Sequence, residues 1–491
     1  MQIDPPATAF ARRYARGEPQ IVWTTLVADL ETPVSAFLKI AREQPMSFLL
    51  ESVEGGEARG RYSIIGLEPD LVWRTVAGQA EIQRIGDGRE FKPCQEAPLA
   101  ALRTLVSESR IELPDVLPPM AAGMFGYLGY DMVRLMEDLP DLNPDPIGVP
   151  DAMLVRPTVV VVFDAVTDTL SIVTPVRPEA GVAASAAYEA AGRRLAAIVQ
   201  ALDAPLAHFP PRIGSGSLTV WPSSNTPSSE YERMVNAAKE YIAGGDVFQV
   251  VLSQRFSAPF ELPPFALYRA LRRVNPAPFL YFLDFGSFAI AGSSPEILVR
   301  VREGTVTIRP LAGTRPRGAT PQEDKALETA LLADPKERAE HLMLLDLGRN
   351  DVGRVSRTAK RFSQVMHIVS NVEGKLDSNR DALDALVAGF PAGTVSGAPK
   401  VRAMEIIDEL EKEKRGIYAG SVGYFSAAGE FDSCITLRTA LIKDGVMYVQ
   451  AGAGIVADSN AKAEQQECVD KAKALFRAAE EAKRFAGGPR R

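Results

Sequence analysis

The chain has 491 residues, too many for one small core, so two domains or two large lobes are expected. Apolar residues make up 46% and charged residues 24%, ordinary values for a globular protein with a sizeable core. The net charge of -7 and the pI of about 5.4 argue against a nucleic-acid partner, which needs a basic face, but allow a small anionic substrate, which needs only local positive charge.

In chain order, the first residues, MQIDPPATAFARRYARGEP, hold no apolar stretch of the kind a signal peptide needs. No apolar run approaches the roughly 20 residues of a membrane helix, so no membrane partner is expected. Strands are predicted over 21–26, 47–52, 158–163 and 169–174, with helices over 33–42, 98–108 and 182–201. Residues 203–229, rich in Pro, Ser and Gly, read as a connection. A helix over 229–243 and an apolar strand over 248–256 follow, then strands over 279–285, 287–293, 296–301 and 305–310. Runs of strands with helices between the runs indicate α+β with large, mostly antiparallel sheets rather than a βαβ alternation.

Asp334 and Glu337 have capping-box spacing and Pro335 suits the first helical position, so a helix is expected over 335–347. Glu337, Glu340 and His341 then share one face, where two carboxylates one turn apart can reach one hard cation. Taken alone, the segment reads better as a solvated charged face. Residues 393–400, GTVSGAPK, place a Gly/Thr/Ser loop before a helix expected over 399–412, a place where N–H groups can meet an anion. An ordinary capped loop accounts for it equally well. A strand over 446–451 leads into Gly452-Ala453-Gly454-Ile455-Val456-Ala457, which fits the weak G-x-G-x-x-A nucleotide fingerprint. No strand remains to complete the βαβ unit, so a nicotinamide site is rejected, and the glycines are read as allowing close backbone approach. Ser459 is the expected N-cap of the last helix, which carries Glu464, Glu467 and Lys471 on one stripe. Of the three histidines, His208 lies in the connection, while His341 and His367 gain no role from position alone.

The three cysteines, Cys94, Cys434 and Cys468, show no CxxC spacing, so neither a disulfide framework nor a zinc site is expected, and free thiols suit a reducing cytoplasm. None lies in a G-x-C-x-G segment, so the chain carries no glutaminase nucleophile of its own.

Taken together, GDVFQVVLSQRF (245–256), AGSSPEILVR (291–300), AGTRPRG (312–318), ERAEHLMLLDLGRNDVGRV (337–355), VMHIVSNVEG (365–374), GTVSGAPK (393–400), IYAGSVGYF (417–425), ITLRTA (435–440) and QAGAGIV (450–456) resemble the chorismate-utilising enzymes over essentially all of 225–480. The resemblance implies a two-lobed α+β fold with large, mostly antiparallel sheets and helices packed outside. It divides the chain into an N-terminal lobe, 1–205, with a tryptophan feedback site, and a chorismate-binding catalytic domain, 225–491.

Within that family the chain is most similar to the anthranilate synthase large subunits. Water-adding members have a Lys where this chain has Gln249, and Gln cannot act as the base that activates water. Many aminodeoxychorismate synthases have a nucleophilic Lys where this chain has Ala312. Leu49-Leu50-Glu51-Ser52 resembles the tryptophan feedback segment, with its partner in Asn275-Pro276-Ala277-Pro278-Phe279-Leu280. Ser52, Pro278, Phe279 and Leu280 are thus the implied inhibitor residues, although the family usually has Ser, Tyr and Met in the second segment.

The implied reaction is a Mg²⁺-dependent amination of chorismate with ammonia, followed by loss of pyruvate to give anthranilate. The resemblance implies Mg²⁺ between Glu340 and Glu467, with Glu337 and Glu464 behind them or as alternate ligands. It implies Glu296 as the acid for the departing ring hydroxyl, His367 as an aid to pyruvate elimination, and Thr394 and Gln249 at the substrate. Gly452, Gly454 and Lys471 would hold the ring carboxylate; Arg438 and Tyr418 would hold the pyruvyl carboxylate. It further implies a hetero-oligomer, with ammonia from a separate glutamine amidotransferase subunit. Two departures stand out: a strand-length segment usual between positions 357 and 362 is missing, and 458–464 lacks the usual Pro and adjacent Glu. The competing readings are an aminodeoxychorismate synthase large subunit and a catalytically impaired tryptophan-binding regulatory protein.

Overall fold

A computed structural model describes the chain apart from residues 42–43, 55–57, 87, 89, 207–221, 313–319, 366–367 and 487–491. The described residues form an α+β body whose strands pair antiparallel, as the runs of strands in the sequence imply.

Two sheets can be traced strand by strand. The first runs from Gln20–Val27 through Thr169–Val176, Ala152–Asp164, Ala58–Val76 and Ser47–Glu54. It continues through Phe279–Asp284, Phe288–Ser294, Thr439–Lys443 and Val446–Ile455 to Gln249–Pro259. The second joins Ala152–Asp164 to Gly123–Leu128, Ser421–Ser426, Phe431–Ile435, Ile297–Arg302, Thr305–Ile308 and Ile368–Leu376. The 19-residue strand Ala58–Val76 and the 13-residue strand Ala152–Asp164 are long enough to serve both. Their mutual register shifts between Pro69 and Leu71.

Side-chain alternation explains the layers. Phe48, Ile64, Val160, Phe125, Tyr281 and Val422 point into a core between the sheets. Their neighbours Leu49, Ile65 and Val161 face outward, under helices that contribute Phe10, Phe37, Leu195, Leu267 and Leu475. On the other side, Trp73, Leu154, Val299 and Ile435 pack under helices that bring Leu102, Leu345, Leu386 and Met404. This is a sheet-on-sheet sandwich clad in helices.

Strands from before and after 203–229 share both sheets, since Ser47–Glu54 pairs with Phe279–Asp284 and Gly123–Leu128 with Ser421–Ser426. Most of the expected connection, 207–221, lies outside the described residues, as does His208. Helix Ala184–Asp203 precedes it and helix Ser228–Ala243 follows. The shortened segment before His367 still forms a strand, Ser356–Val365, paired with Ile368–Leu376. His367 itself lies outside the described residues.

Candidate active site

The site is built around the last strand of the first sheet. Strand Val446–Ile455 extends four residues beyond the expected end, so Gly452 and Gly454 stand within it rather than after it. Opposite them, Val251 pairs with Gly454 and Ser253 with Gly452. The Val251 N–H donates instead to Ser396 O (2.9 Å), and the Ser253 N–H to Glu411 Oε1 (2.8 Å). Both pairs are therefore the non-hydrogen-bonded kind, and the N–H groups of the two glycines point to the opposite edge. The neighbouring strand covers that edge only as far as the Ala440–Val449 pair. On the face of the strand, a Cβ at Gly454 would collide with Gln249 Nε2, and one at Gly452 would come within 2.9 Å of the Tyr418 hydroxyl oxygen. The glycines thus leave room for both a ligand and these side chains.

Arg438 stands just before the strand that ends the covered edge. Its φ of 48° is in the left-handed region, an uncommon conformation for a non-glycine residue and frequent where function holds it. Its guanidinium makes no ion pair with a described residue, and partial burial lowers its pKa. The side chain is nevertheless exposed to solvent on one side, so an arriving carboxylate can reach it. Tyr418 is buried, its hydroxyl is pushed well above the usual tyrosine range by that burial, and it makes no hydrogen bond with a described residue.

Glu296 follows strand Phe288–Ser294 and is 6% exposed. Burial pushes its carboxyl up to about 8, and the Leu311 N–H, 3.3 Å from Oε1, only partly offsets this. The neighbouring Thr394 hydroxyl also favours the ionised form, although it stands outside hydrogen-bond geometry with any described atom. The structure therefore brings together a carboxylic acid that is protonated at neutral pH and a buried, unsatisfied hydroxyl. Thr394 sits on a single turn, Gly393–Val395, and Gly397–Ala398 then pairs with Gln249–Val250. The helix after it begins at Lys400 and ends at Leu410, two residues short of the expected end.

The four acidic residues sit on the expected helices. Asp334 caps the helix Pro335–Gly353 by accepting from the Glu337 N–H (3.4 Å). One turn on, Glu340 Oε1 accepts from Gln249 Nε2 at 3.4 Å. His341, on the same helix, is buried against Ser370 Oγ (2.8 Å), a structural contact. On the last helix, Ala461–Glu481, Glu464 lies in the first turn and Glu467 pairs with Lys471 at 2.7 Å. Lys471 also donates to Gly452 O at 2.9 Å, so it ties the last helix to the strand at Gly452. The N-cap is Asn460, not Ser459: Asn460 Oδ1 accepts from Lys462 and Ala463, while Ser459 Oγ accepts from the Val456 N–H. Among the described residues no group of three or more His, Cys, Asp or Glu side chains is close enough to hold a metal ion. The local donors do suit Mg²⁺, a hard cation that takes few protein oxygens. Gln249 Oε1, buried beside the Glu340 carboxylate, has no hydrogen-bond partner.

Sequence reasoning missed Glu411 and Arg415, a buried ion pair directly behind Tyr418. The segment Glu411-Lys412-Glu413-Lys414-Arg415 looks like solvated surface in sequence. Only the Gly416-Ile417-Tyr418 that follows it hints otherwise.

The residues expected to bind tryptophan lie elsewhere. Ser52 pairs with Phe279 and Glu51 with Leu280 across the two halves of the chain. Ser52, Pro276 and Leu280 line a cavity of about 360 Å³, together with Glu51, Arg272 and the acidic Asp29, Glu31, Asp164 and Asp168. Pro278 is exposed and Phe279 packs toward the core between the sheets, so neither is among the lining residues.

A family profile described as chorismate binding enzyme matches residues 48–477. This chain belongs to the chorismate binding enzyme family. It is 55% identical over 491 aligned residues to anthranilate synthase component 1 of Cereibacter sphaeroides, covering 97% of this chain and 98% of that one. It is 47% identical to the protein of that name from Aquifex aeolicus, over 94% of each. Among solved structures, anthranilate synthase component I from Streptococcus pneumoniae superposes with a TM-score of 0.73 at 36% identity, covering 92% of this chain and 98% of that one. The menaquinone-specific isochorismate synthase of Escherichia coli shares the fold, with a TM-score of 0.69 at 20% identity, over 96% of this chain and 98% of that one.

Proposed function

We propose that this chain is the large subunit of an anthranilate synthase, taking chorismate and ammonia to anthranilate and pyruvate in tryptophan biosynthesis. The observation that carries the chemistry is Glu296, a buried carboxyl pushed up to about 8 beside the unsatisfied Thr394 hydroxyl. A group in that state donates a proton to the departing ring hydroxyl, which leaves as water. Arg438 and Tyr418 hold the enolpyruvyl carboxylate, and the N–H groups of Gly452 and Gly454 meet the ring carboxylate. Gln249 has an amide that takes no proton at neutral pH, so the site has no base there to activate water. Unprotonated ammonia needs none. His367, implied by the family resemblance, assists the loss of pyruvate, the step that makes the ring aromatic.

Glu340 and Glu467 would hold Mg²⁺, with Glu337 and Glu464 in support. When bound, the ion neutralises the ring carboxylate and orients it. The ammonia comes from a separate glutamine amidotransferase subunit in a hetero-oligomer. In support, burial pushes the thiols of Cys434 and Cys468 up to about 12, so neither is a thiolate nucleophile at neutral pH. Free thiols also suit the cytoplasm, and no described helix is long and apolar enough to cross a membrane. The acid-rimmed cavity beside Ser52 and Leu280 takes tryptophan as an inhibitor, its carboxylates suiting the ammonium group.

The test is anthranilate fluorescence on mixing the chain with chorismate, Mg²⁺ and ammonium salt at alkaline pH. Anthranilate that stops forming on chelation supports the reading. An aminated, non-aromatic product that retains pyruvate would indicate an aminodeoxychorismate synthase and refute it.

A further inference from the structure

Strand Gln249–Pro259 has a gap along the edge away from Val446–Ile455. Gly397–Ala398 covers that edge at Gln249–Val250, and Ser223–Ser224 covers it at Phe256–Ser257. Between these two short partners, the backbone groups of Val251 and Ser253 would face a dry interior without a strand to bond. The Glu411–Arg415 pair takes the place of that strand. Glu411 Oε1 accepts from Ser253 N (2.8 Å) and Ser253 Oγ (2.9 Å), while Arg415 Nη2 donates to Val251 O (2.7 Å). The two side chains bind each other in a fork, Nη2 to Oε1 at 2.6 Å and Nε to Oε2 at 3.0 Å. The Arg415 and Glu411 side chains are 1% and 5% exposed, respectively.

Arg415 has one further donor and two aromatic contacts. Nη1 donates to Val395 O at 2.7 Å, on the turn that carries Thr394. The guanidinium lies 4.8 Å from the Tyr130 ring centroid and 5.6 Å from that of Tyr418. Val251 and Ser253 are the residues opposite Gly454 and Gly452. The ion pair thus touches the strand behind both glycines, Arg415 at Val251 and Glu411 at Ser253, while the cation also touches the turn behind Thr394 and the ring of Tyr418. A buried ion pair is weak evidence for stability, because desolvation consumes most of its gain. Here the hydrogen bonds that Arg415 makes beyond Glu411 go to Val251 O and Val395 O, beside Gly454 and Thr394.

We infer that Arg415, oriented by Glu411, is a positioning residue that sets Tyr418 and Thr394 relative to Gly452 and Gly454. Its kinetic signature rests on the chorismate reading; its structural signature does not. In Arg415→Lys the charge remains but the fork is lost. Tyr418 then loosens, and KM for chorismate rises at least about tenfold, within the roughly 10²-fold that a 1 Å misplacement costs. Thr394 also draws back from Glu296. Its hydroxyl favours the ionised carboxylate, so its withdrawal raises the carboxyl further and the basic limb of kcat moves to higher pH. The KM effect should shrink in a Tyr418→Phe background, because the two residues act through one contact.

Wild-type turnover of chorismate decides the reaction; the variants decide the positioning role. Enzyme labelled with 3-fluorotyrosine gives a readout without substrate, the residue-418 line being assigned by its loss in Tyr418→Phe. That line is expected to shift and broaden in Arg415→Lys. The inference is overturned by an unchanged 418 line, or by a folded variant that loses kcat in proportion to active fraction with KM and the pH limb fixed. If Arg415→Lys does not fold, Glu411→Gln, which keeps an acceptor for Ser253, is judged by the same three readouts.

Discussion

The candidate catalytic cleft and the cavity beside Ser52 both border the first sheet, yet they treat their polar groups in opposite ways. In the cleft, Thr394 Oγ1 and Gln249 Oε1 are buried without partners among the described residues, and Arg438 has no described carboxylate. Around the cavity, Glu51 is bound by both nitrogens of the Arg272 fork, at 2.7 and 2.9 Å, and by the Tyr268 hydroxyl. Unsatisfied buried groups cost stability and are kept where a ligand or transition state will complete them. A satisfied network instead sets the shape of a cavity before any ligand arrives. Substitutions in the cleft should therefore damage rate more than fold, and those at the Glu51 network the reverse.

The largest expected effect is at Glu296. Glu296→Gln removes the acid while keeping shape and burial, so kcat should fall by about 10²–10⁴-fold, the usual contribution of a general acid. The thermal midpoint should not fall. The wild-type kcat should decline as pH rises through about 8, because the acid works only while protonated. A wild-type rate in the variant, or a flat wild-type profile across that range, would remove Glu296 from the chemistry. Next comes Arg272→Ala, which leaves the Glu51 carboxylate buried without its main partner. A loss of about 3 kcal/mol in unfolding free energy is expected, with kcat changed little. A smaller effect is expected at Arg438. Arg438→Ala removes a charged contact with substrate, worth about 1.5–3 kcal/mol, so KM for chorismate should rise about ten- to hundredfold. Stability should stay level, because Arg438 has no ion-pair partner among the described residues and Ala meets the same positive φ. Marked unfolding in Arg438→Ala would erase the contrast between the two regions.

Much of this was legible in the sequence because it is local. Apolar runs marked most strands of the first sheet, and Asp334-Pro335 marked the start of the Glu340 helix. Residue identity at single positions, such as Gln249, Ala312 and Glu296, carried the chemical reading. What escaped depends on partners far away in the chain. The extension of Val446–Ile455 through its glycines is set by pairing with Gln249–Pro259, some two hundred residues earlier. The sharing of both sheets across 203–229 is likewise a matter of long-range pairing. Glu411 and Arg415 sit in a charged run that propensity places in water, and only the uncovered edge at Val251 and Ser253 draws them inside. Ser459 and Asn460 are both good caps by residue type, and the Val456 N–H decided between them by taking the Ser459 hydroxyl oxygen as its acceptor.

The smallest expected effect tests whether the two regions are independent. Pro276, which lines the cavity, follows Asn275, whose carbonyl accepts a hydrogen bond from Ser293 Oγ. The Ser293 N–H in turn donates to Arg438 O at 3.2 Å. A cavity ligand that shifts 275–280 therefore pulls on the backbone of the arginine proposed to hold chorismate. Ser293→Ala keeps the second bond and breaks the first, so it should weaken the effect of tryptophan on chorismate KM by about 0.5–2 kcal/mol, a change of a few-fold or somewhat more. Tryptophan affinity in the absence of chorismate should change less. Binding measured with and without chorismate is the right experiment, since the coupling must be reciprocal whichever ligand is added first. Equal coupling in wild type and Ser293→Ala would mean that the cavity reaches the cleft through the shared sheet as a whole, with no special part for this one side chain.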